Sequence, residues 1–391
     1  MKKLAAVFAT VIAIVALAGF AKPQIINAGD FLVRQPLLSI RAEMAAITSE
    51  VSTLRAEMAV ALAPPPPPAP MQVQEVAEPA VSDGWELVTD DAPFRPRDGS
   101  FVASFKGYLW LGNGWPGSSD NMPTSIWRSR DGKDWERVVD NAPWKGRHIG
   151  NFVVLNDRMY MYGGDNMTDV WSSADGINWQ LEIAEAPWGK RYNPYMGAFN
   201  GKLWLMGGQN EHWTGAYNDV WSSVDGKTWV REVENAPWPR RSLVSGFAVH
   251  DGHMWVMGGG RKIPDPRCNG CGQTIYDLND VWKSANGVDW ELVIPRAEWA
   301  PRTHMSVVGY DGNLIVTDGS VGTQAGMSSE AWFSKDGIEW HPIGGIPDQK
   351  FSPRHASTLV EHDGTLFMVT GYLRNDVWKL NPEALTVPPT Q

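Results

Sequence analysis

The segment from Gly201 to Arg241 recurs along the chain six times, with loops of different length. It runs GKLWLMGGQNEHWTGAYNDVWSSVDGKTWVREVENAPWPRR. In order, this is an apolar stretch ending in Gly-Gly, a polar loop, a stretch ending in Ser-Ser and an Asp-Gly turn. A stretch opening on Trp229 and an Ala-Pro-Trp loop ending on arginine complete it. One such unit cannot bury both its faces alone, so the copies must stack on each other.

Each stretch has the length of a short strand. The third strands carry Trp127, Trp171, Trp221, Trp282, Trp332 and Trp378, and Asp169, Asp219, Asp280 and Asp376 supply the acid of an Asp-Val-Trp triplet. The fourth strands open on Trp135, Trp179, Trp229, Trp290 and Trp340, after Asp-Gly or Asn-Gly turns that tolerate positive φ. The second strands end in glycine, as at Gly163-Gly164, Gly207-Gly208 and Gly258-Gly259, where one backbone can approach another closely. A period of about 50 residues built this way predicts a propeller. The sixth unit lacks a fourth strand after Trp378, while Ser82 to Val88 reads as a fourth strand without its first three. The expected fold is all-β and six-bladed, with the N-terminal strand closing the last blade and no open sheet edge left.

These marks resemble the kelch-repeat family: the double glycine, the later aromatic, and the Trp opening the last strand. The resemblance covers Trp85 to Leu380. It implies a kelch-type β-propeller whose first strands line a central channel. It does not specify an activity, because one fold hosts many.

The propeller is expected over residues 82–381, with a tail at 382–391. Before it, Met1-Lys2-Lys3 and the apolar run Leu4 to Ala21 fit a signal peptide or an uncleaved signal anchor over 1–21, followed by a juxtamembrane segment at 22–35. Ile40, Met44, Ile47, Val51, Leu54 and Met58 form a heptad seam within residues 36–62. That seam predicts a helical stalk, either a homo-oligomeric coiled coil or a single amphipathic helix. Pro64 to Pro68 and Pro70 make 63–81 an extended linker. The chain is therefore expected to be exported, periplasmic or extracellular, and held at a membrane if the anchor is uncleaved. The formal charge of −10 argues against nucleic acid as a partner.

Antiparallel order puts the loops from fourth to first strand, and from second to third, on one face. There an arginine opens every unit: Arg97, Arg147, Arg191, Arg241, Arg302 and Arg354. They either ring the channel mouth as an anion site or lock the blades by pairing with neighbouring acids. Of 21 tryptophans, only Trp115 and Trp213 fall outside the repeat positions. Both lie in loops on that face, where they suit stacking on a sugar or covering their own loop. His148, His212, His304 and His355, with Tyr192, are candidate ligand-binding residues there, and the histidines suit acid–base work near neutral pH. Asp318 replaces a repeat glycine and is a further rim candidate. Cys268 and Cys271 in the longest loop are expected to form a local disulfide. No metal or cofactor motif is visible.

The Ser-x-Asp-Gly-x-x-Trp turns are similar to the Asp-box of sialidases but lack the residue between Asp and Gly. The cysteines sit together in one loop, which argues against galactose oxidase chemistry. The reading is a binding module for an anionic glycan or a protein partner. The alternative is an enzyme on an acidic sugar, similar to the bacterial N-acetylneuraminate epimerases.

Overall fold

The structure, a computed structural model, describes residues 84–264, 273–322, 326–345 and 348–387. The expected signal segment, stalk and linker, and Cys268 and Cys271, lie outside the described residues. Among the described residues no helix is long and apolar enough to cross a membrane.

Six sheets of four or five strands, antiparallel but for one pair, follow one another along the chain. The first blade comprises Phe101–Phe105, Tyr108–Gly112, Ile126–Ser129 and Trp135–Val139. The sixth comprises Thr358–His362, Thr365–Val369 and Val377–Leu380, and its outer strand is Trp85–Thr89 from the other end of the chain. Trp85 sits opposite Leu380 and Leu87 opposite Trp378, so the expected closure is present. The fifth blade gains an extra inner strand, because Val244–Gly246 pairs parallel with Met305–Val307. After Leu380 a short 3-10 turn, Pro382–Ala384, buries Ala384.

Neighbouring blades interlock through the turn glycines. A Cβ on Gly176 would lie 2.5 Å from Trp110, one on Gly226 2.8 Å from Tyr160, and one on Gly287 2.3 Å from Trp204. Each aromatic sits on the second strand of the preceding blade. Gly132 meets Phe367 of the sixth blade in the same way at 2.8 Å, so the ring closes on the contact that builds it. These four glycines, and Gly337 in the fifth blade, have φ between 75° and 78°, which side chains rarely adopt. In each turn the following Trp donates its indole N–H to the glycine carbonyl, as Trp135 does to Gly132 at 2.8 Å.

The six arginines are buried to within 1% exposure. Five make ion pairs inside their own blade, four of them two-pronged; Arg302 reaches its acid through Nη2 alone, its Nη1 going to Ser328 Oγ and Asp318 O. Arg147 holds Asp169 at 2.7 and 2.8 Å, Arg241 holds Asp280 at 2.8 and 2.6 Å, and Arg354 holds Asp376 at 2.8 and 2.7 Å. Arg191 holds Asp219 likewise, and Arg302 holds Glu330. Each of these carboxylates also accepts the indole N–H of the third-strand Trp two residues on. A ligand-facing arginine ring at the mouth is thereby overturned: these guanidiniums point into the blades, because a buried charge needs a partner more than an exposed one does. The alternative of pairing with acids is the one the structure has, but each pair ties one blade to itself rather than to its neighbour, and Arg97, Arg241 and Arg354 also lie over Phe94, Trp238 and Phe351.

Two residues after each arginine the backbone turns left-handed. Gly99, Ile149, Asn193, Leu243, His304 and Ala356 all have φ between 44° and 67°. Their peptide groups join across blades: Ile149 N–H donates to Gly99 O, Gly99 to Ala356, Ala356 to His304, His304 to Leu243, and Leu243 to Asn193. This belt girdles the channel and nearly closes it, leaving about 10 Å³ beneath.

Candidate functional site

Between the buried arginine and the belt, each unit has one residue whose side chain is free to differ. These are Asp98, His148, Tyr192, Ser242, Thr303 and His355. Five of the six line one cavity of about 460 Å³ at the channel mouth, with Ile149, His304 and Ala356 of the belt, and Trp115, Lys262 and Ser320 from the longer loops. The repeat supplies the frame, and this position supplies chemistry.

On one side, Asp165 grips His148 twice. Its Oδ2 accepts the His148 backbone N–H at 2.8 Å and lies 2.7 Å from ring Nδ1. That contact places the Nδ1 proton toward the carboxylate and leaves Nε2 as the acceptor for the Tyr192 hydroxyl at 2.9 Å. Burial, then the charges of Asp165 and Asp98, raise the Tyr192 phenol, so it stays protonated at neutral pH. Trp115 lies against His148 with ring centres 6.4 Å apart, and Trp213 against Tyr192 at 4.6 Å.

On the other side, His355 Nε2 lies 3.3 Å from Asp98 Oδ2, and its Nδ1 is 3.3 Å from Ser320 Oγ. The His304 ring is 5.3 Å from that of His355. Burial, then His355, Lys262 and His148, push the His304 imidazole well below its ordinary value, so it is neutral at pH 7. Its Nδ1 and the Asp98 Oδ1 are buried without a partner among the described residues. Lys262 arrives on the hairpin of Gly260–Pro264 and Gln273–Asp277 and sits 4.9 Å over the Trp213 ring. Burial lowers its pKa, and no carboxylate among the described residues pairs with it.

The structure thus brings His148, Tyr192, His304, His355 and Trp115 together, with Trp213 behind Tyr192 and beneath Lys262. His212 is not among them: its side chain is 77% exposed beside Glu211, on a loop tip that points to solvent. Asp318 is not at the rim either. It is fully buried and accepts from the Ser306 amide at 2.9 Å and the Ser357 hydroxyl at 2.5 Å, tying the fifth blade to the sixth. Sequence reasoning missed Asp98, Asp165, Lys262, Thr303 and Ser320. For Asp98 and Thr303 a signal existed, since both directly follow a repeat arginine. For Asp165, Lys262 and Ser320 none did, because their loops keep no common length.

Burial raises the Asp318 carboxyl to about 6, against the hydrogen bonds from Ser357 and Ser306 and the charge of Arg354. A carboxyl raised above its unfolded value of about 3.9 favours the fold below that pH, and the contribution is lost as pH rises through about 6. Urea midpoints of the wild type should therefore carry a component that falls between about pH 4 and 6, and Asp318→Asn should lack it. Equal pH profiles for the two proteins would refute this assignment.

No protein-family model matches the chain, and no curated relative matches it. A solved structure, titled "Structure of YjhT", superposes with a TM-score of 0.58 at 14% identity, covering 74% of this chain and 95% of that one. The likeness is one of fold: this chain, too, is a six-bladed β-propeller.

Proposed function

We propose that the channel-mouth cavity is the active site of an enzyme that moves protons on an acidic sugar. The observation that carries this reading is a pair of carboxylate-contacted histidines, His148 with Asp165 and His355 with Asp98, lining one cavity with the unpaired ammonium of Lys262. Opening a pyranose ring requires a base for the anomeric hydroxyl and an acid for the ring oxygen; reclosure reverses both transfers. His148, its Nδ1 proton held by Asp165, takes the hydroxyl proton at Nε2 once the sugar displaces Tyr192 from that atom. His355, its Nε2 facing Asp98, gives a proton to the ring oxygen. Lys262 meets the sugar carboxylate, and Trp115 offers a face to the ring. The fold likeness, and the resemblance to N-acetylneuraminate epimerases, agree with this chemistry and do not assign its residues. In this reading residues 1–81 carry the propeller out of the cytoplasm.

The test is anomer exchange of N-acetylneuraminate followed by NMR. The purified propeller should accelerate it. His148→Gln should lower kcat by about 10²–10⁴-fold, and Lys262→Met should act mainly on KM. Binding without turnover would leave a glycan-binding module. Neither binding nor turnover would remove this sugar class from the site.

A further inference from the structure

The repeat provides an internal control for a second site. In five blades the arginine guanidinium and the indole N–H of the third-strand Trp converge on one carboxylate, with both ends of the guanidinium in four of them and Nη2 alone in Arg302. In those blades the arginine Nη1 also donates to a backbone carbonyl, from Arg191 to Gly207 O at 2.8 Å, from Arg241 to Gly258 O at 3.1 Å, and from Arg354 to Thr370 O at 2.9 Å. The first blade keeps this frame. Arg97 Nη1 donates to Asn113 O at 2.8 Å and Nε to Arg95 O at 2.8 Å, which is how Arg241 uses Gly258 and Pro239. The guanidinium therefore occupies the standard place.

What differs is the acid. The residue two before Trp127 is Ser125, where the other blades have Asp169, Asp219, Asp280, Glu330 and Asp376. Trp127 turns its indole N–H to Ser125 Oγ at 3.2 Å, which leaves the serine proton free to donate elsewhere. Among the described residues Arg97 makes no ion pair, although it is 1% exposed. The Arg95 guanidinium adds to the local positive field. Acids near in sequence are engaged elsewhere, Asp98 with His355 and Asp91 with Asn375. An arginine left so deep without a counter-charge is costly, because desolvation is not repaid.

We propose that the first blade holds a small monovalent anion of chloride size between the Arg97 guanidinium and the Ser125 hydroxyl, where a carboxylate sits in the other five blades. Serine carries a neutral hydroxyl where aspartate carries a carboxylate, and the anion replaces that group's charge. Burial, and then the Arg95 guanidinium, lower the Arg97 pKa to about 10, which marks a charge the protein itself does not neutralise. The first blade is thereby completed by an ion from solution, and its stability follows the ion's concentration.

Thermal unfolding in a gluconate-to-chloride series at constant ionic strength tests this, with bromide scattering from crystals as a second readout. The wild-type midpoint should rise by about 2–4 °C per tenfold chloride above the dissociation constant. Ser125→Asp supplies the acid covalently, so it should melt higher in gluconate and not respond to chloride. Arg97→Met should also lose the response, which guards against a Ser125→Asp chain that fails to fold. A bromide peak beside Arg97 would agree. A flat wild-type series, an undiminished response in both variants, or bromide bound only elsewhere would overturn the proposal.

Discussion

Removal of residues 84–92 is expected to abolish cooperative folding of the propeller, whereas removal of residues 1–80 should leave its melt unchanged. The deleted strand is short, but its position makes it indispensable. Trp85 is 2% exposed and meets Phe351 edge-on with ring centres 5.9 Å apart. The Asn381 amide donates to Gly84 O and the Ala92 amide to Asn375 O, each at 3.1 Å. Without the strand, Val377–Leu380 becomes an open sheet edge, and a ring with one incomplete sheet exposes a surface that pairs with other chains. Trp85→Ala alone should cost about 3–5 kcal/mol, the range for emptying a buried Trp site. Circular dichroism and calorimetry of the two truncations decide the matter. A soluble, cooperative melt of the form lacking 84–92 would show that the ring does not depend on its closing strand.

The second large effect concerns the buried pairs. Arg241→Ala should destabilise by about 3–5 kcal/mol, because it leaves the Asp280 carboxylate buried with only the Trp282 indole as partner. Asp280→Ala should cost a similar amount by stranding the guanidinium. Replacing both by apolar residues of matched volume should recover much of the loss, as expected when an ion pair fixes geometry more than it adds stability. Arg241→Lys keeps the charge but cannot span both carboxylate oxygens and the Gly258 carbonyl, so it should fall between. Urea midpoints of the wild type and these four variants make the comparison. A cost below about 1 kcal/mol for Arg241→Ala would mean that the pair is solvated, against side-chain exposures of 0% for Arg241 and 11% for Asp280.

These pairs show how a repeated residue is read. An arginine found at the same place in every unit is most economically a part of the unit, and its partner acid recurs at the same place in five of six. Both were visible before any coordinates. The side on which the guanidinium lies was not, because it depends on the third-strand tryptophan and the carbonyl that meet it inside the blade. The chemistry sits one residue later, where the units cease to agree. His148, Tyr192 and His355 were legible there as residue types. Their joining to Asp165, Asp98 and Lys262 across separate blades was not, since ring order rather than sequence spacing brings them together.

By itself the amino-acid order determined the blade count, the closing strand, the glycine turns and the face on which the variable residues emerge. All of these are consequences of local hydrogen bonding and of apolar faces that must be covered by a neighbour. The left-handed belt belongs to the tertiary structure alone. Ile149, Leu243 and Ala356 each adopt a positive φ that costs roughly 1–2 kcal/mol in isolation. No propensity would put them there. Around a closed ring, however, that turn lets five of the six peptide groups donate to the neighbouring blade, and the hydrogen bonds so formed offset the strain and make the floor of the cavity.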